Sequence, residues 1–288
     1  MPTFRRWLEI VKVARPGFWP TQLWFYLLPL AGLEMFGSIP FWLGAFYACF
    51  PLGLLIYGWN DLGDAETDQL NPRKDSWLFG GRPDERLRAQ LPWIIAAVQI
   101  PFVITFTMFA GPKILIWFSA VLITNWTYNN VGWKSLPVLD VLNQAGYVLI
   151  FVLASWLCEV DQLRPSVIVF SALFAMQSHL FGQLMDVEQD KAVGRRSTAI
   201  LLGYRRTKAL LTILMLIEAG IAAVYFRGAI VSLFMACGAI FFLLDALLGP
   251  PRYTVAFTKA FFIGWNVIVI ATMHLVWRYG WFMLAPST

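Results

Sequence analysis

Long apolar segments recur along the chain, and short polar connections separate them. Each segment holds about 20 residues, the length that a helix needs to cross the hydrocarbon core of a bilayer. The pattern predicts an all-α membrane protein with nine transmembrane helices. Their expected positions are 17–37, 40–59, 91–110, 113–129, 137–158, 165–185, 207–226, 229–248 and 257–277.

The composition agrees with a chain that lies mostly in lipid. Of its 288 residues, 59% are hydrophobic and 14% are charged, whereas a soluble protein of this size carries about 25% charged residues. The net charge of +5 therefore concerns orientation and contact with membrane lipid. It gives no reason to expect a nucleic acid as a partner.

Lys and Arg are distributed unevenly between the two sides of the predicted bundle. With the N-terminus in the cytoplasm, the cytoplasmic side receives all but four of the 22 Lys and Arg residues. The four on the opposite side are Lys113, Arg164, Arg227 and Arg278. Cytoplasmic loops of membrane proteins carry such an excess of positive charge. We therefore expect an integral, multi-pass membrane protein whose N-terminus and long polar loops, 69–90 and 190–206, face the cytoplasm.

An acidic stretch from Asn60 to Asp68 directly follows the second apolar segment. On a continuous helix, Asp61, Asp64 and Asp68 share one face, because the second and third lie three and seven residues after the first. Carboxylates placed so close together repel one another unless a cation neutralises them. Oxygen ligands of this kind suit Mg²⁺, which takes one or two protein carboxylates and completes its shell with phosphate oxygens and water.

A second acidic stretch, 186–190, repeats the arrangement of 64–68 after the sixth apolar segment. Both read Asp-x-Glu-x-Asp, and after four further residues each is followed by two cations. The aspartates are Asp64, Asp68, Asp186 and Asp190, and the cations are Arg73, Lys74, Arg195 and Arg196. A bound polyanion needs carboxylates that hold metal ions and cations that hold the remaining oxygens. The pattern therefore indicates a Mg²⁺-dependent site for a polyanion.

The two motif copies also predict the architecture. They follow the second and sixth spans, which are four apart and therefore run in the same direction. We expect two related four-helix halves, at about 17–129 and 137–248, and a ninth helix at about 257–277. The whole chain, 1–288, would then be a single transmembrane domain with a central cavity that opens to the cytoplasmic side.

Further polar residues lie near the predicted cavity. Lys134 is the only cation in its cytoplasmic connection, and it either contacts a bound anion or is simply a positive-inside lysine. Asp140 is expected to pair with Lys134 or another cation, because a buried carboxylate is costly. Gln183 and His179 share the helical stripe of the second motif. We expect His179 to be a hydrogen-bonded packing residue rather than a catalytic base.

Together these residues resemble the UbiA superfamily of intramembrane prenyltransferases, and the resemblance extends along the whole chain. The signatures of that family have the forms Asn-Asp-x-x-Asp-x-x-x-Asp and Asp-x-x-x-Asp, with Tyr and Lys six residues apart in a connecting segment. They are matched by Asn60, Asp61, Asp64 and Asp68, by Asp186 and Asp190, and by Tyr128 and Lys134. The run from Asp68 to Lys74 looks most like the branch that elongates carotenoids such as lycopene.

The resemblance implies a reaction and a set of roles. An allylic isoprenoid diphosphate would be held through two Mg²⁺ ions between the acidic motifs and ionised there. The prenyl cation would pass to a lipophilic acceptor, and diphosphate would be released. The metal ligands would be Asn60, Asp64, Asp68, Asp186 and Asp190, together with Asp61 unless it turns toward a neighbouring cation. The four motif aspartates would be the catalytic residues. The substrate contacts would be Asn60, Arg73, Lys74, Tyr128, Lys134, Arg195 and Arg196.

Two other functions remain open. A UbiA-type terpene cyclase would use the same diphosphate site, but the substrate's own double bonds would attack the cation and no acceptor would be needed. A cation transporter would bind its ion through intramembrane carboxylates. Transporter sites lie near the middle of the bilayer, whereas these acids cluster at one face. The dibasic pairs would also repel a travelling cation, so transport is the least favoured of the three.

Overall fold

The chain folds into a bundle of long helices in the computed structural model, which describes residues 2–226 and 229–280. The described residues form helices, short 3-10 turns and loops, and no strand, so the predicted all-α class is confirmed. The α-helices are α1 Pro2–Val13, α2 Trp19–Leu27, α3 Ile39–Gly63, α4 Ala65–Leu70, α5 Glu85–Ala110, α6 Lys113–Asn129, α7 Leu139–Leu142, α8 Leu149–Cys158, α9 Pro165–Ala192, α10 Thr198–Tyr225, α11 Ile230–Leu248 and α12 Val255–Tyr279. Arg227, one of the four cations expected on the outer side, lies outside the described residues.

Seven helical segments are long and apolar enough to cross a membrane. They are α3, α5, the stretch Leu139–Cys158 that contains α7 and α8, and α9 to α12. Each coincides with one of the predicted spans. At the two remaining predicted positions the helices are shorter, because α2 ends in a 3-10 turn at Leu28–Leu30 and α6 has 17 residues. The chain is therefore an integral, multi-pass membrane protein with seven recognisable spans in its described part.

The N-terminal helix α1 is amphipathic and is absent from the predicted elements. Phe4 and Trp7 expose their rings, a pattern typical of helices that lie in a membrane interface. The other end of α1 contacts the loop between α4 and α5, where the amide of Gly81 donates a hydrogen bond to the carbonyl of Lys12 at 3.1 Å. This contact places Arg15, just beyond α1, at the end of the bundle that carries the acidic stretches, which we call the motif end.

The first acidic stretch does not continue the helix before it. α3 ends at Gly63, and Asp64 has non-helical backbone angles (φ −106°, ψ 16°) before α4 begins. Glycine is a poor helix former, and a Cβ on Gly63 would lie 3.1 Å from Lys134 Nζ. The predicted single helical face of Asp61, Asp64 and Asp68 is therefore wrong, because the helix is broken within it. By contrast, α9 passes through the second stretch without interruption.

A central cavity of about 780 Å³ lies between the helices. Helices from both halves of the chain line it, with α2, α3 and α6 from the first half and α8, α9 and α11 from the second. α12 contributes as well. The volume falls within the range of small-molecule sites, about 300–1,000 Å³. The lining changes from charged side chains at the motif end to aromatic rings deeper in the bundle.

Candidate active site

The cavity brings together residues that are far apart in the chain. Ten of the twelve predicted site residues line it, namely Asn60, Asp64, Asp68, Arg73, Lys74, Tyr128, Lys134, Asp186, Asp190 and Arg195. The other two, Asp61 and Arg196, are not part of the lining. Arg196 is exposed, and its contact with a substrate stays a prediction.

Asp64 is the most heavily contacted carboxylate at the cavity mouth. Asn60 Nδ2 donates to its Oδ2 at 2.7 Å, while Lys134 Nζ at 2.7 Å and Arg195 Nη2 at 2.5 Å both contact its Oδ1. Burial alone would raise the pKa of Asp64, but Arg195 and Lys134 outweigh it and hold that pKa below its ordinary value. Asp64 therefore stays ionised, and Lys134 belongs to the charged mouth.

Two ion pairs cross between the halves of the chain. Arg195, which follows the second acidic stretch, contacts Asp64 of the first. Arg73, which follows the first stretch, contacts Asp186 of the second, and Asn71 Nδ2 donates to the same oxygen at 2.9 Å. These crossed ion pairs join equivalent positions of the two motif copies. They bring both stretches to one cavity mouth, as the repeat predicts.

Asp61 lies behind the cavity wall with a fully buried side chain. Arg15 Nη2 at 3.0 Å and Lys74 Nζ at 2.8 Å contact its Oδ1. Asp61 therefore faces neighbouring cations, which is the alternative to metal binding that the sequence left open. Lys74 also contacts Asp68 Oδ2 at 2.8 Å. Burial raises the pKa of Asp68, and although Lys74 opposes this, repulsion from Asp61 leaves the net shift upward.

Arg15 lies at the site although no motif in the sequence includes it. It lines the cavity, and its guanidinium lies 4.5 Å from the ring centroid of Tyr57. Burial would lower the pKa of Arg15, but the carboxylates of Asp61 and Asp68 raise it above its ordinary value. Nothing local in the sequence links Arg15 to Asp61, which is 46 residues away.

Deeper in the cavity a second set of polar side chains contact one another. His179 Nε2 lies 3.4 Å from Tyr128 Oη and 3.1 Å from Gln183 Nε2. All three side chains line the cavity. We call this set the polar belt.

Asp140 anchors the polar belt from behind the cavity wall. It is fully buried, and it accepts hydrogen bonds from Gln183 Nε2 at 2.7 Å and from the amide of Thr198 at 2.6 Å. The predicted pairing of Asp140 with Lys134 or another cation is wrong for the described residues. Hydrogen-bond donors satisfy this carboxylate instead, and Lys134 contacts Asp64.

The interior of the cavity is rich in aromatic rings. The rings in its lining are Phe18, Phe25, Tyr57, Phe79, Trp117, Tyr128, Tyr147, Phe174, Phe181, Phe234, Phe241, Phe242, Phe261, Phe262 and Trp265. Such faces attract cations, by about 2 kcal/mol or more when the cation is desolvated. The cavity therefore suits an amphiphile with an anionic head at the mouth and an apolar tail inside.

The donor set at the mouth fits Mg²⁺ in its chemistry. Carboxylate and amide oxygens are its usual protein ligands, and the cavity presents them from Asn60, Asp64, Asp68, Asp186 and Asp190. Within the described residues, no three acidic, His or Cys side chains converge into a ready-made cage. Mg²⁺ usually takes only one or two protein carboxylates and completes its shell with substrate phosphates and water. The residues therefore fit a metal that is bound jointly with a diphosphate.

The fold and the site define a multi-pass membrane protein with a charged mouth above an aromatic cavity. The sequence profile of the UbiA prenyltransferase family matches residues 18–267. The chain belongs to this family, as its motifs predict.

Curated relatives place the chain near one branch of the family. A lycopene elongase/hydratase of Halobacterium salinarum is 31% identical over 182 residues, covering 62% of this chain and 63% of the relative. The chain thus matches slightly less than two thirds of that relative's length. A lycopene elongase/hydratase of Haloferax volcanii is 29% identical over 212 residues, covering 70% and 67% respectively. The predicted likeness to the lycopene-elongating branch is confirmed.

Solved structures of a UbiA homolog from Archaeoglobus fulgidus have the same fold. The one bound to GPP and Mg²⁺ has a TM-score of 0.68 and 19% identity, covering 93% of this chain and 99% of that chain. The one bound to DMAPP and Mg²⁺ has a TM-score of 0.66 and 17% identity, covering 93% and 98%. At these identities the likeness concerns the fold.

Proposed function

We propose that this protein transfers the prenyl group of an allylic isoprenoid diphosphate to a polyene acceptor such as lycopene and releases diphosphate. The observation that carries the proposal is the pair of crossed contacts, Arg195 with Asp64 and Arg73 with Asp186, at the mouth of an aromatic cavity. Family membership and the names of the relatives support it. The excess of Lys and Arg in the loops of the motif end supports a cytoplasmic location of the mouth.

The charged mouth would bind the diphosphate. Its cations already lie within ion-pair distance of the motif carboxylates, and Arg73, Lys134 and Arg195 would contact oxygens that the metal leaves over. The residues that would hold Mg²⁺ are Asn60, Asp64, Asp68, Asp186 and Asp190. When bound, Mg²⁺ neutralises charge on the leaving diphosphate. Two Mg²⁺ ions are expected to bind.

The aromatic interior would hold the apolar tail and the reacting carbons. The C–O bond of the diphosphate ester breaks, and its electron pair leaves with the diphosphate. Ring faces such as those of Phe262 and Trp265 stabilise the allylic cation that remains. The π electrons of an acceptor double bond then form the new C–C bond. Exclusion of water from this chamber protects the cation from early capture.

The direct test is a product assay with purified protein in lipid discs. With Mg²⁺, dimethylallyl diphosphate and lycopene, we expect products heavier than lycopene by one or two prenyl units in a mass spectrum. Chelation of Mg²⁺ should abolish them. No prenylated product with lycopene, or with a cell lipid extract as the source of other acceptors, would refute the proposal. Cyclic hydrocarbons formed from geranylgeranyl diphosphate alone would favour the terpene cyclase instead.

A further inference from the structure

His179 lies on the cavity wall, on the same stripe of α9 as Asp186 and deeper in the bundle. Their spacing of seven residues corresponds to about 10 Å along the helix axis, or about two turns. If the diphosphate is anchored at the mouth, the reacting carbon would lie between the level of Asp186 and that of His179, or close to His179. In the described part of the chain, His179 is the only histidine that lines the cavity. A neutral imidazole has one ring nitrogen with a lone pair that can accept a proton.

The hydrogen bonds around Gln183 determine which nitrogen of His179 is unprotonated. A backbone amide only donates hydrogen bonds, so the Gln183 atom 3.3 Å from the amide of Ala199 is the amide oxygen. The amide nitrogen of Gln183 then donates to Asp140 Oδ2 at 2.7 Å, which agrees with this orientation. The same amide nitrogen lies 3.1 Å from His179 Nε2 and donates to it. His179 Nε2 therefore has a lone pair, and the ring proton is on Nδ1.

Asp140 is an acceptor on both of its oxygens. Thr198 Oγ1 accepts from the amide of Val138 at 2.7 Å, so its own proton is directed to Asp140 Oδ1 at 2.5 Å. The amides of Val141 and Thr198 also donate to this carboxylate, at 2.9 and 2.6 Å. With Gln183 it receives four hydrogen-bond donors. The carboxylate of Asp140 thus lies one side chain behind the imidazole of His179.

The chemistry of prenyl transfer needs a proton acceptor at this depth. When the acceptor's π bond attacks the prenyl cation, a carbocation remains on the acceptor. It is quenched either by loss of a neighbouring proton, which gives an alkene, or by capture of water, which gives an alcohol. We propose that the Tyr128–His179 pair removes this proton and so directs the reaction toward the alkene. This inference rests on the proposed function.

The step balances with groups that are present in the cavity. The C–H bond next to the cationic carbon breaks, and its electron pair becomes the new C=C bond. The proton goes to Tyr128 Oη, whose own proton passes to His179 Nε2 across the 3.4 Å contact. The phenol stays neutral and the imidazole becomes imidazolium, and its new Nε2–H donates to Tyr128 Oη in place of the hydrogen bond that Nε2 accepted from Gln183. The imidazolium returns its proton to water when the product leaves.

The test compares products of wild type, His179→Gln and Tyr128→Phe in lipid discs with Mg²⁺, dimethylallyl diphosphate and lycopene. General base catalysis contributes about 10²–10⁴-fold, and even partial loss should lower the ratio of alkene to alcohol at least tenfold. In His179→Gln, release of diphosphate should fall much less, because ionisation precedes proton loss. Imidazole added to His179→Ala should restore part of the alkene, which a packing defect alone would not explain.

Tyr204→Phe is the matched control for these variants. Tyr204 does not line the cavity, and its hydroxyl donates to Glu188 at 3.0 Å rather than to the polar belt. Its alkene-to-alcohol ratio should equal that of wild type. An unchanged ratio in both His179→Gln and Tyr128→Phe would overturn the inference and point to released diphosphate as the base. A wild type that forms only alcohol would overturn it too. A wild type with no prenylated product would overturn the proposed function as well.

Discussion

The two acidic copies share their spacing but differ in the backbone that carries them. In the first, the chain breaks at Asp64 between α3 and α4, whereas the second lies inside the continuous helix α9. The Asp64 side chain is 7% exposed and that of Asp186 is 28% exposed. Each is nevertheless paired with the arginine that follows the other copy, Arg195 or Arg73. Equal spacing therefore indicates which side chains meet across the bundle even where the local backbone differs.

Charge is balanced differently behind the two copies. Three residues before Asp64 stands Asp61, which Arg15 and Lys74 neutralise. The equivalent position of the second copy is Gln183, which takes part in hydrogen bonds without a cation. The first copy thus depends on buried ion pairs and the second on a hydrogen-bond network. This contrast can be tested one residue at a time.

The largest effect is expected where the copies are equivalent. Asp64→Asn and Asp186→Asn should each lower prenyl transfer by about 10³-fold, the upper range for removal of one group that stabilises developing charge. Glu66→Gln is the matched control, since Glu66 is exposed at the middle of the first copy and forms no ion pair among the described residues. Turnover under saturating Mg²⁺ is the measurement, with size-exclusion profiles to verify folding. Near wild-type turnover in either variant would show that the copies are not functionally equivalent.

A large effect on stability is expected at Asp61, where the copies differ. Asp61→Asn leaves Arg15 without its carboxylate partner and Lys74 with only Asp68. Removal of one partner of a buried ion pair costs about 3–5 kcal/mol, and the remaining pair of Lys74 favours the lower end, about 3 kcal/mol. Thermal unfolding in detergent measures this loss.

The same variant separates the two roles left open for Asp61. If Asp61 neutralises buried cations, folded Asp61→Asn protein at low temperature should bind diphosphate and Mg²⁺ nearly as well as wild type. Normal stability combined with a large loss of Mg²⁺ affinity would instead identify Asp61 as a metal ligand. Arg15→Gln added to Asp61→Asn should recover part of the stability, because the unpaired buried charge is gone.

Much of this arrangement can be predicted from the sequence, because its causes are expressed locally. Bilayer thickness sets the length of an apolar span, so seven spans can be located from composition alone. The crossed ion pairs follow from a repeated motif whose two copies meet in one cavity. The amphipathic pattern of α1 is local, but nothing local indicates where α1 docks. The contact of Arg15 with Asp61 depends on a left-handed backbone at Arg15 (φ 49°) and on the docking of α1.

Nearness in sequence was misleading for Asp140. Lys134 is the cation nearest to it in the chain, and an unpaired buried carboxylate is costly, so an ion pair was the simplest expectation. The actual partners, Gln183 and Thr198, are 43 and 58 residues away. Any buried carboxylate can be satisfied by several neutral donors as well as by one cation. Whether Asp140 pairs with a cation or with neutral donors is decided only by the packing of α7 against α9 and the start of α10.

A moderate effect is expected from the crossed arginines, and it should be unequal. Arg195 contacts two carboxylates, Asp64 and Asp190, whereas Arg73 contacts Asp186 alone. Truncation of one partner of a buried, hydrogen-bonded charge pair costs 2 kcal/mol or more. Arg195→Ala should therefore raise the KM for diphosphate substrate by at least about tenfold, and Arg73→Ala by less. Equal increases in KM would mean that Arg195 and Arg73 contribute equally to substrate binding.

Arg196→Ala is the control for both arginine variants. Arg196 is the second cation of its pair, as Lys74 is of the first, but it is exposed and does not line the cavity. Its removal should leave the KM for diphosphate within about twofold of wild type, in keeping with the small energies of exposed charges. A KM increase as large as that of Arg195→Ala would place Arg196 in the substrate site, as the sequence predicts.

The smallest effect is expected at the middle acid of the second copy. Glu188 accepts a hydrogen bond from Tyr204 at 3.0 Å and pairs with Arg252 at 3.3 Å, but the two charged side chains are 42% and 66% exposed. An exposed ion pair contributes about 0–1 kcal/mol, and the amide oxygen of a glutamine can still accept from Tyr204. Glu188→Gln should therefore lower the thermal midpoint only slightly, and about 1 M salt should remove the difference by screening. Activity should be unchanged. Loss of activity in Glu188→Gln but not in Glu66→Gln would contradict this expectation. It would mean that the middle acid takes part in the reaction in the second copy but not in the first.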